Sequence, residues 1–187
     1  MSGEAANLHM TYAEYCAFER ESEVKHEYIA GEVFAMAGRT LEHSRLCAEI
    51  VHQLRLALEG GPCRVLSADA RVRVEAADVD TYPDISVCGP PETAAGDDHA
   101  LLNPKLIVEV LSSSTEAYDR GLKASNYRKI PALKAYLLVA QDRPRVELQV
   151  CDADGRWVIH EGVAGERLAI EPLGIELDVD ALYRDAF

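Results

Sequence analysis

Residues 104–111 read PKLIVEVL, and this stretch constrains the fold more than any other part of the chain. Strand alternation sends Lys105, Ile107, Glu109 and Leu111 to one face and Leu106, Val108 and Val110 to the other. The run is aliphatic on both sides of a single carboxylate. Removing that carboxylate from water costs several kcal/mol unless a partner or a cation compensates it. The remainder of the chain must supply such a partner, or Glu109 must lie solvated on an edge strand.

The flanking pattern is a mixture of helices and strands. Thr11 followed by Glu14 is a capping box and predicts a helix over 11–21. KHEYIAGEVFAMAG reads as a hairpin turning at Ala30-Gly31. Leu46, Ile50, Leu54 and Leu58 recur every four residues in the strongest helix, which Gly60-Gly61-Pro62 stops. Strands are predicted in CRVLSADARVRVE and TYPDISVCG, then an exposed loop over 90–103 rich in Pro, Ala, Gly and Asp. After KLIVEVL comes a helix in STEAYDRGLKASNYRK, interrupted mildly by Gly121 and closed at Ile130-Pro131. AYLLVAQ, RVELQVC and RWVIHEG are further strands, the last two joined at Asp152-Ala153-Asp154-Gly155. This order predicts an α/β or α+β domain with one central mixed sheet flanked by helices, spanning 1–187 as a single unit.

Several function classes drop out. The chain has no phosphate loop, no dinucleotide glycine fingerprint, no serine-nucleophile elbow and no H-E-x-x-H. Its five cysteines are scattered without a C-x-x-C pair, which suits reduced thiols acting as small hydrophobes. No apolar run is long enough to span a bilayer and no secretory signal is evident, so a cytoplasmic protein without a membrane partner is expected. A formal net charge of -13 argues against a generic nucleic-acid coat, while it tolerates an acidic site that carries divalent cations.

The carboxylates remain. Asp84 opens a strand directly after Pro83, with Ile85 and Val87 on the opposite face. If that strand pairs with the one carrying Glu109, the two acids converge on one face and repel unless a divalent cation lies between them. Mg²⁺ or Mn²⁺ accepts oxygen ligands in this manner. On the following helix Asp119, Lys123 and Tyr127 stand four apart on one face and could aim an ammonium at the pair. Taken singly the features have plainer readings: a turn acid at Asp84, and an exposed ion pair between Asp119 and Lys123.

The runs YPDISVC, PKLIVEVLSSST, YDRGLKASNY and IPALKAYLLV, together with TYAEYCAFERE and HEYIAGEVFAMAG, resemble the Uma2 family of restriction endonuclease-like proteins, formerly the DUF820 group, within the PD-(D/E)XK nuclease superfamily. The resemblance implies a restriction endonuclease-like core and hydrolysis of phosphodiester bonds in DNA. It implies that Asp84 and Glu109 bind Mg²⁺, with help from the Val110 backbone carbonyl. The position two after Glu109, a lysine in the superfamily, is Leu111 here, and Lys123 on the next helix is its proposed spatial replacement. Glu32 and His43 align with polar positions near the family's site. Superfamily habit implies a homodimer. DNA would approach through local positive charge, with Arg39 and Arg45, Arg71 and Arg73, Arg120, Lys123, Arg128 and Lys129 as candidates. The rival expectation is a non-enzymatic interaction or regulatory module that retains the fold.

Overall fold

The structure, a computed structural model, describes residues 5–184. After strand β1 (Ala5–His9), the Thr11 N–H donates to the Glu14 carboxylate at 2.8 Å while the Thr11 hydroxyl oxygen accepts from the Glu14 N–H. This reciprocal pairing starts helix α1 (Tyr12–Glu21). Strands β2 (His26–Ile29) and β3 (Glu32–Ala35) turn through Ala30 and Gly31, whose φ values of 48° and 96° are the left-handed geometry that tight hairpins require. Helix α2 (Leu41–Ala57), capped by Thr40, buries Leu46, Ile50 and Leu54 completely. Each such side chain contributes about 1.5–3 kcal/mol of apolar burial.

Strands β4 (Arg64–Ser67), β5 (Arg71–Val74), β6 (Val79–Thr81) and β7 (Ile85–Cys88) follow. The segment expected to be a loop over 90–103 instead contains β8 (Thr93–Ala94) and β9 (Asp97–Leu101). Its turn-rich composition describes only the connections. Ala94, Ala100 and Leu101 are buried, and β9 runs parallel to β5 with Arg71 opposite Ala100. Strand β10 (Pro104–Leu111) then leads into α3 (Glu116–Tyr118), a π-helical turn over Asp119–Lys123, and α4 (Ala124–Tyr127). Strands β11 (Ala135–Ala140), β12 (Arg145–Cys151) and β13 (Trp157–Val163) continue the sheet, and β14 (Arg167–Ile170), β15 (Ile175–Asp178) and α5 (Val179–Leu182) close the described chain.

The class is mixed α+β, as the pattern predicts, but there are two large mixed sheets rather than one. One has the order β13-β12-β11-β10-β7-β4, and the other β1-β3-β2-β6-β5-β9-β8. Strand β10 lies inside the first, antiparallel to β7 and parallel to β11. Its two faces divide as the alternation requires. Leu106, Val108 and Val110 pack with the α2 stripe, while Ile107 and Leu111 pack with Tyr127, Leu133 and with Val72 and Val74 of the second sheet. Leu111 is therefore a core residue. A lysine there would have to bury its ammonium in an apolar cluster.

Two of the candidate DNA contacts are corrected here. Arg71 and Arg73 lie inside the protein, Arg71 paired with Asp80 and Asp97 and Arg73 with Asp78. Packing of α1 over β5 decides this, a long-range contact that strand alternation does not encode.

Candidate active site

Proline at position 83 ends the possibility of a further ladder N–H, and β7 begins only at Ile85. The antiparallel register pairs Val108 with Ile85, so one more step sets Glu109 across from Asp84. Cross-strand neighbours share a face of the sheet. Where the β7 backbone gives out, the Asp84 carboxylate takes its place: the Val110 N–H donates to Asp84 Oδ2 at 2.8 Å. The N–H and C=O of one strand residue face the same neighbour, so the Val110 carbonyl is directed to this side too.

Three further elements close on the two acids. His43, in the first turn of α2, places Nε2 3.1 Å from Asp84 Oδ2, and Arg39, just before that helix, places Nη2 2.7 Å from Asp84 Oδ1. Lys123 Nζ lies 2.8 Å from Glu109 Oε1, 3.3 Å from Glu27 Oε1 and 3.7 Å from Asp119 Oδ1. The Tyr127 hydroxyl donates to Glu109 Oε1 at 3.1 Å and is 2.8 Å from Thr81 Oγ1. The π-helical turn carries Asp119 and Lys123, and the Tyr136 hydroxyl donates to the Asp119 carbonyl at 3.1 Å. Such wide turns recur at functional sites because they re-aim side chains within a helix.

The electrostatics are lopsided. Glu109 is 3% exposed, and burial together with the charges of Asp84 and Asp119 pushes its pKa up to about 8 against the pull of Lys123. Burial also raises the Asp119 carboxyl. For Asp84 burial works in the same direction, but the His43 hydrogen bond, Arg39 and the Val110 N–H outweigh it and hold the acid below its ordinary range. Lys123 loses hydration yet is held well above the usual lysine value by Glu109, Glu27, Tyr127 and Asp119. Three carboxylates, Glu27, Glu109 and Asp119, thus surround one buried ammonium, and Asp84 lies across from Glu109 with its own partners, His43 and Arg39.

These groups line a cavity of about 320 Å³ that also takes in Ser112, Thr115 and Tyr118. A larger, more open hollow of about 800 Å³, between α2 and β4, has Glu59 as its only carboxylate and none of this chemistry. Asp84 also forms, with His43 and Cys47, a group whose ligating atoms all lie within 4.8 Å of one another.

Of the residues named from the sequence, Asp84, Glu109, Lys123, Asp119, Tyr127, His43 and Val110 come together. Glu32 does not. It is exposed at the tip of the hairpin, opposite Ile29, whereas Glu27 on the neighbouring strand faces the cavity. Alternation puts Tyr28 and Val33 in the core and both acids on the other face; distance from the turn alone separates them. Cys47, whose thiol burial and the Asp84 charge push up to about 12, carried no local signal in the sequence.

Among the described residues no helix is long and apolar enough to cross a membrane. The family model described as "Uma2: Putative restriction endonuclease" matches residues 12–180. The chain is 36% identical over 172 residues to the uncharacterized protein slr1290 of Synechocystis sp., covering 91% of this chain and 90% of that one. It is 34% identical over 163 residues to sll1609 of the same organism, covering 87% and 92%. A crystal structure of "a putative nuclease belonging to DUF820" from Anabaena variabilis superposes with a TM-score of 0.70 at 19% identity, covering 87% of this chain and 92% of that one, which speaks for the fold. With a match running from the first helix to the last, this chain belongs to the Uma2 family.

Proposed function

We propose that this chain is a divalent-cation-dependent nuclease of the PD-(D/E)XK kind, hydrolysing phosphodiester bonds in DNA. The observation that carries the reading is the crowding of Glu27, Glu109 and Asp119 around Lys123, with Asp84 beside Glu109, at the wall of one cavity. Against four acids stand Lys123 and Arg39 as permanent cations, an excess of negative charge that a divalent ion offsets. The donors fit such an ion. Asp84, Glu109 and the Val110 carbonyl form an all-oxygen set that suits Mg²⁺ or Mn²⁺, and both hydrogen bonds to Glu109 engage Oε1, leaving Oε2 for a ligand. When bound, the ion supplies Lewis-acid polarisation of the phosphate and lowers the pKa of water.

The chain's own groups do the rest. Lys123, kept protonated by its acidic neighbours, donates to the attacking water or to the phosphate oxygens. It takes over the part of the strand lysine, whose position Leu111 gives to the core. Tyr127 fixes the rotamer of Glu109, while His43 and Arg39 keep Asp84 ionised and oriented. A purely structural module has no use for a lysine buried among three acids beside a cavity, since such groups cost desolvation.

Most of the DNA contacts expected from the sequence are already held by protein groups. Arg45 is held by Glu42, Arg120 by Glu116 and Glu147, and Arg128 by Gln149 and the Trp157 ring. Lys129 bonds Asn126. Arg39 and Lys123 at the cavity, with the bound ion, carry the attraction, so DNA affinity requires the divalent cation and falls steeply with salt. Cutting both strands would use a homodimer, which sedimentation of the chain with and without DNA checks.

The deciding experiment is cleavage of supercoiled and single-stranded DNA in Mg²⁺ and in Mn²⁺, with Glu109→Ala as control. Metal-dependent nicking that disappears in the variant is the expected result. Absence of cleavage, together with absence of metal-binding heat by calorimetry, would hand the fold to the non-enzymatic reading. Comparing polymeric DNA with a small phosphodiester separates a nuclease from a hydrolase of small phosphorylated substrates.

A further inference from the structure

We propose that His43, Cys47 and Asp84 form a site for a zinc-class transition-metal ion, distinct in chemistry from the all-oxygen site although it shares Asp84. His43 and Cys47 stand four apart on one face of α2, and that helix delivers both toward Asp84. His43 Nε2 is 3.1 Å from Asp84 Oδ2, and Cys47 Sγ is 3.4 Å from His43 Nδ1. One ligating atom from each residue lies within 4.8 Å of the other two. Tetrahedral zinc, with bonds of about 2.0–2.3 Å, holds neighbouring ligands roughly 3.5 Å apart. Because Asp84 meets Nε2 and Cys47 meets Nδ1, one imidazole nitrogen binds the ion and the side chain that now faces the other nitrogen turns to join it.

The donor chemistry selects the ion. Imidazole, thiolate and carboxylate are a nitrogen, sulfur and oxygen set that suits zinc, and a thiolate discriminates against Mg²⁺. A Cys–His–Asp nucleophilic triad is the other chemistry such a trio can support. It fails here because Cys47 does not line the cavity, so a substrate there does not meet its sulfur. Zinc binding replaces the two contacts that now link the residues: the Cys47 S–H proton passes to solvent and the thiolate becomes the ligand. His43 and Asp84 are buried.

Sharing Asp84 makes the two ions compete. Zinc bound at the trio withdraws one ligand from the all-oxygen set and suppresses Mn²⁺-supported cleavage. This consequence rests on the nuclease reading; the zinc site itself does not.

Cobalt is the probe. Titrating Co²⁺ into the full chain should produce a thiolate-to-cobalt charge-transfer band and tetrahedral visible bands, both erased by Zn²⁺. Cys47→Ser should lose the charge-transfer band and His43→Gln should weaken binding. Cys16→Ser, which alters the other thiol beside a buried acid, should leave the band intact. A wild-type chain without the band, or a band that survives in Cys47→Ser, overturns the proposal. Circular dichroism checks that each variant folds. Alkylation of wild-type Cys47, mapped by mass spectrometry, gives a readout that needs no variant: Zn²⁺ should slow it, and an unchanged rate counts against the site. If Mn²⁺ supports no cleavage at all, the nuclease reading falls while the cobalt band still judges the zinc site.

Discussion

Two clusters of charge are buried in this protein, and they differ in what surrounds them. Around Arg71, which is 2% exposed, Asp80 and Asp97 pair with the guanidinium, the Tyr12 hydroxyl donates to Asp80 at 2.8 Å, and the Tyr15 ring lies 5.3 Å from the guanidinium carbon. Arg73 pairs with Asp78 and lies over the Tyr12 ring. Helix α1 supplies Tyr12, Tyr15 and Cys16 to this group, which clasps that helix to the second sheet, and Asp78 at its edge is half-exposed. In both groups the acids outnumber the cations, but around Lys123 one wall is a cavity. The comparison teaches that buried charge by itself does not mark a site. Excess of one sign beside open space does, because only there can a ligand supply the missing countercharge.

The sharpest way to break this division is to remove one member of each cluster. Asp84→Ala or Glu109→Ala should lower DNA cleavage by on the order of 10²–10³-fold or more in single-turnover assays, with the fold intact by circular dichroism. Arg71→Met should instead cost about 3–5 kcal/mol in urea unfolding, because it strands Asp80 and Asp97 without a partner. Should Glu109→Gln destabilise the chain as much as Arg71→Met, the two clusters would be of one kind and the distinction lost.

The pH dependence sharpens the comparison further. Glu109 has a folded-state pKa of about 8 against an ordinary value of 4.5, so the metal-free native state binds more protons than the unfolded one between those values. Its stability therefore falls as pH rises through that window. Glu109→Gln should remove this slope and raise metal-free stability at pH 8, read as an upward shift in thermal midpoint. The same proton opposes the cation. Mn²⁺ affinity should climb as pH approaches 8, with proton release visible as a buffer-dependent calorimetric heat. The smallest effect expected is that of Tyr127→Phe, which removes one bond to Glu109 and one to Thr81 and should cost about 1 kcal/mol of stability. A larger loss of cleavage than of stability in that variant would place Tyr127 in orientation of Glu109 rather than in packing alone.

The sequence by itself determined the faces of β10, the stripe on α2, the capping box at Thr11 and the turn at Ala30-Gly31. Each depends on a backbone period or a contact within four residues, which composition and spacing encode directly. It also named the two acids, because a carboxylate within an aliphatic strand and another after a proline are local anomalies. Only the tertiary structure decided which groups meet them. Lys123 reaches Glu109 because a helix with a π-helical turn packs back over the sheet, Glu27 rather than Glu32 enters because of distance from a hairpin tip, and Cys47 joins through His43. The same holds for Arg71, drawn inside by an aspartate from a segment that looked like a loop. Strand register and helix packing join residues up to tens of positions apart, and no short-range pattern carries that information, since the energy that sets it is shared among many side chains of the two cores.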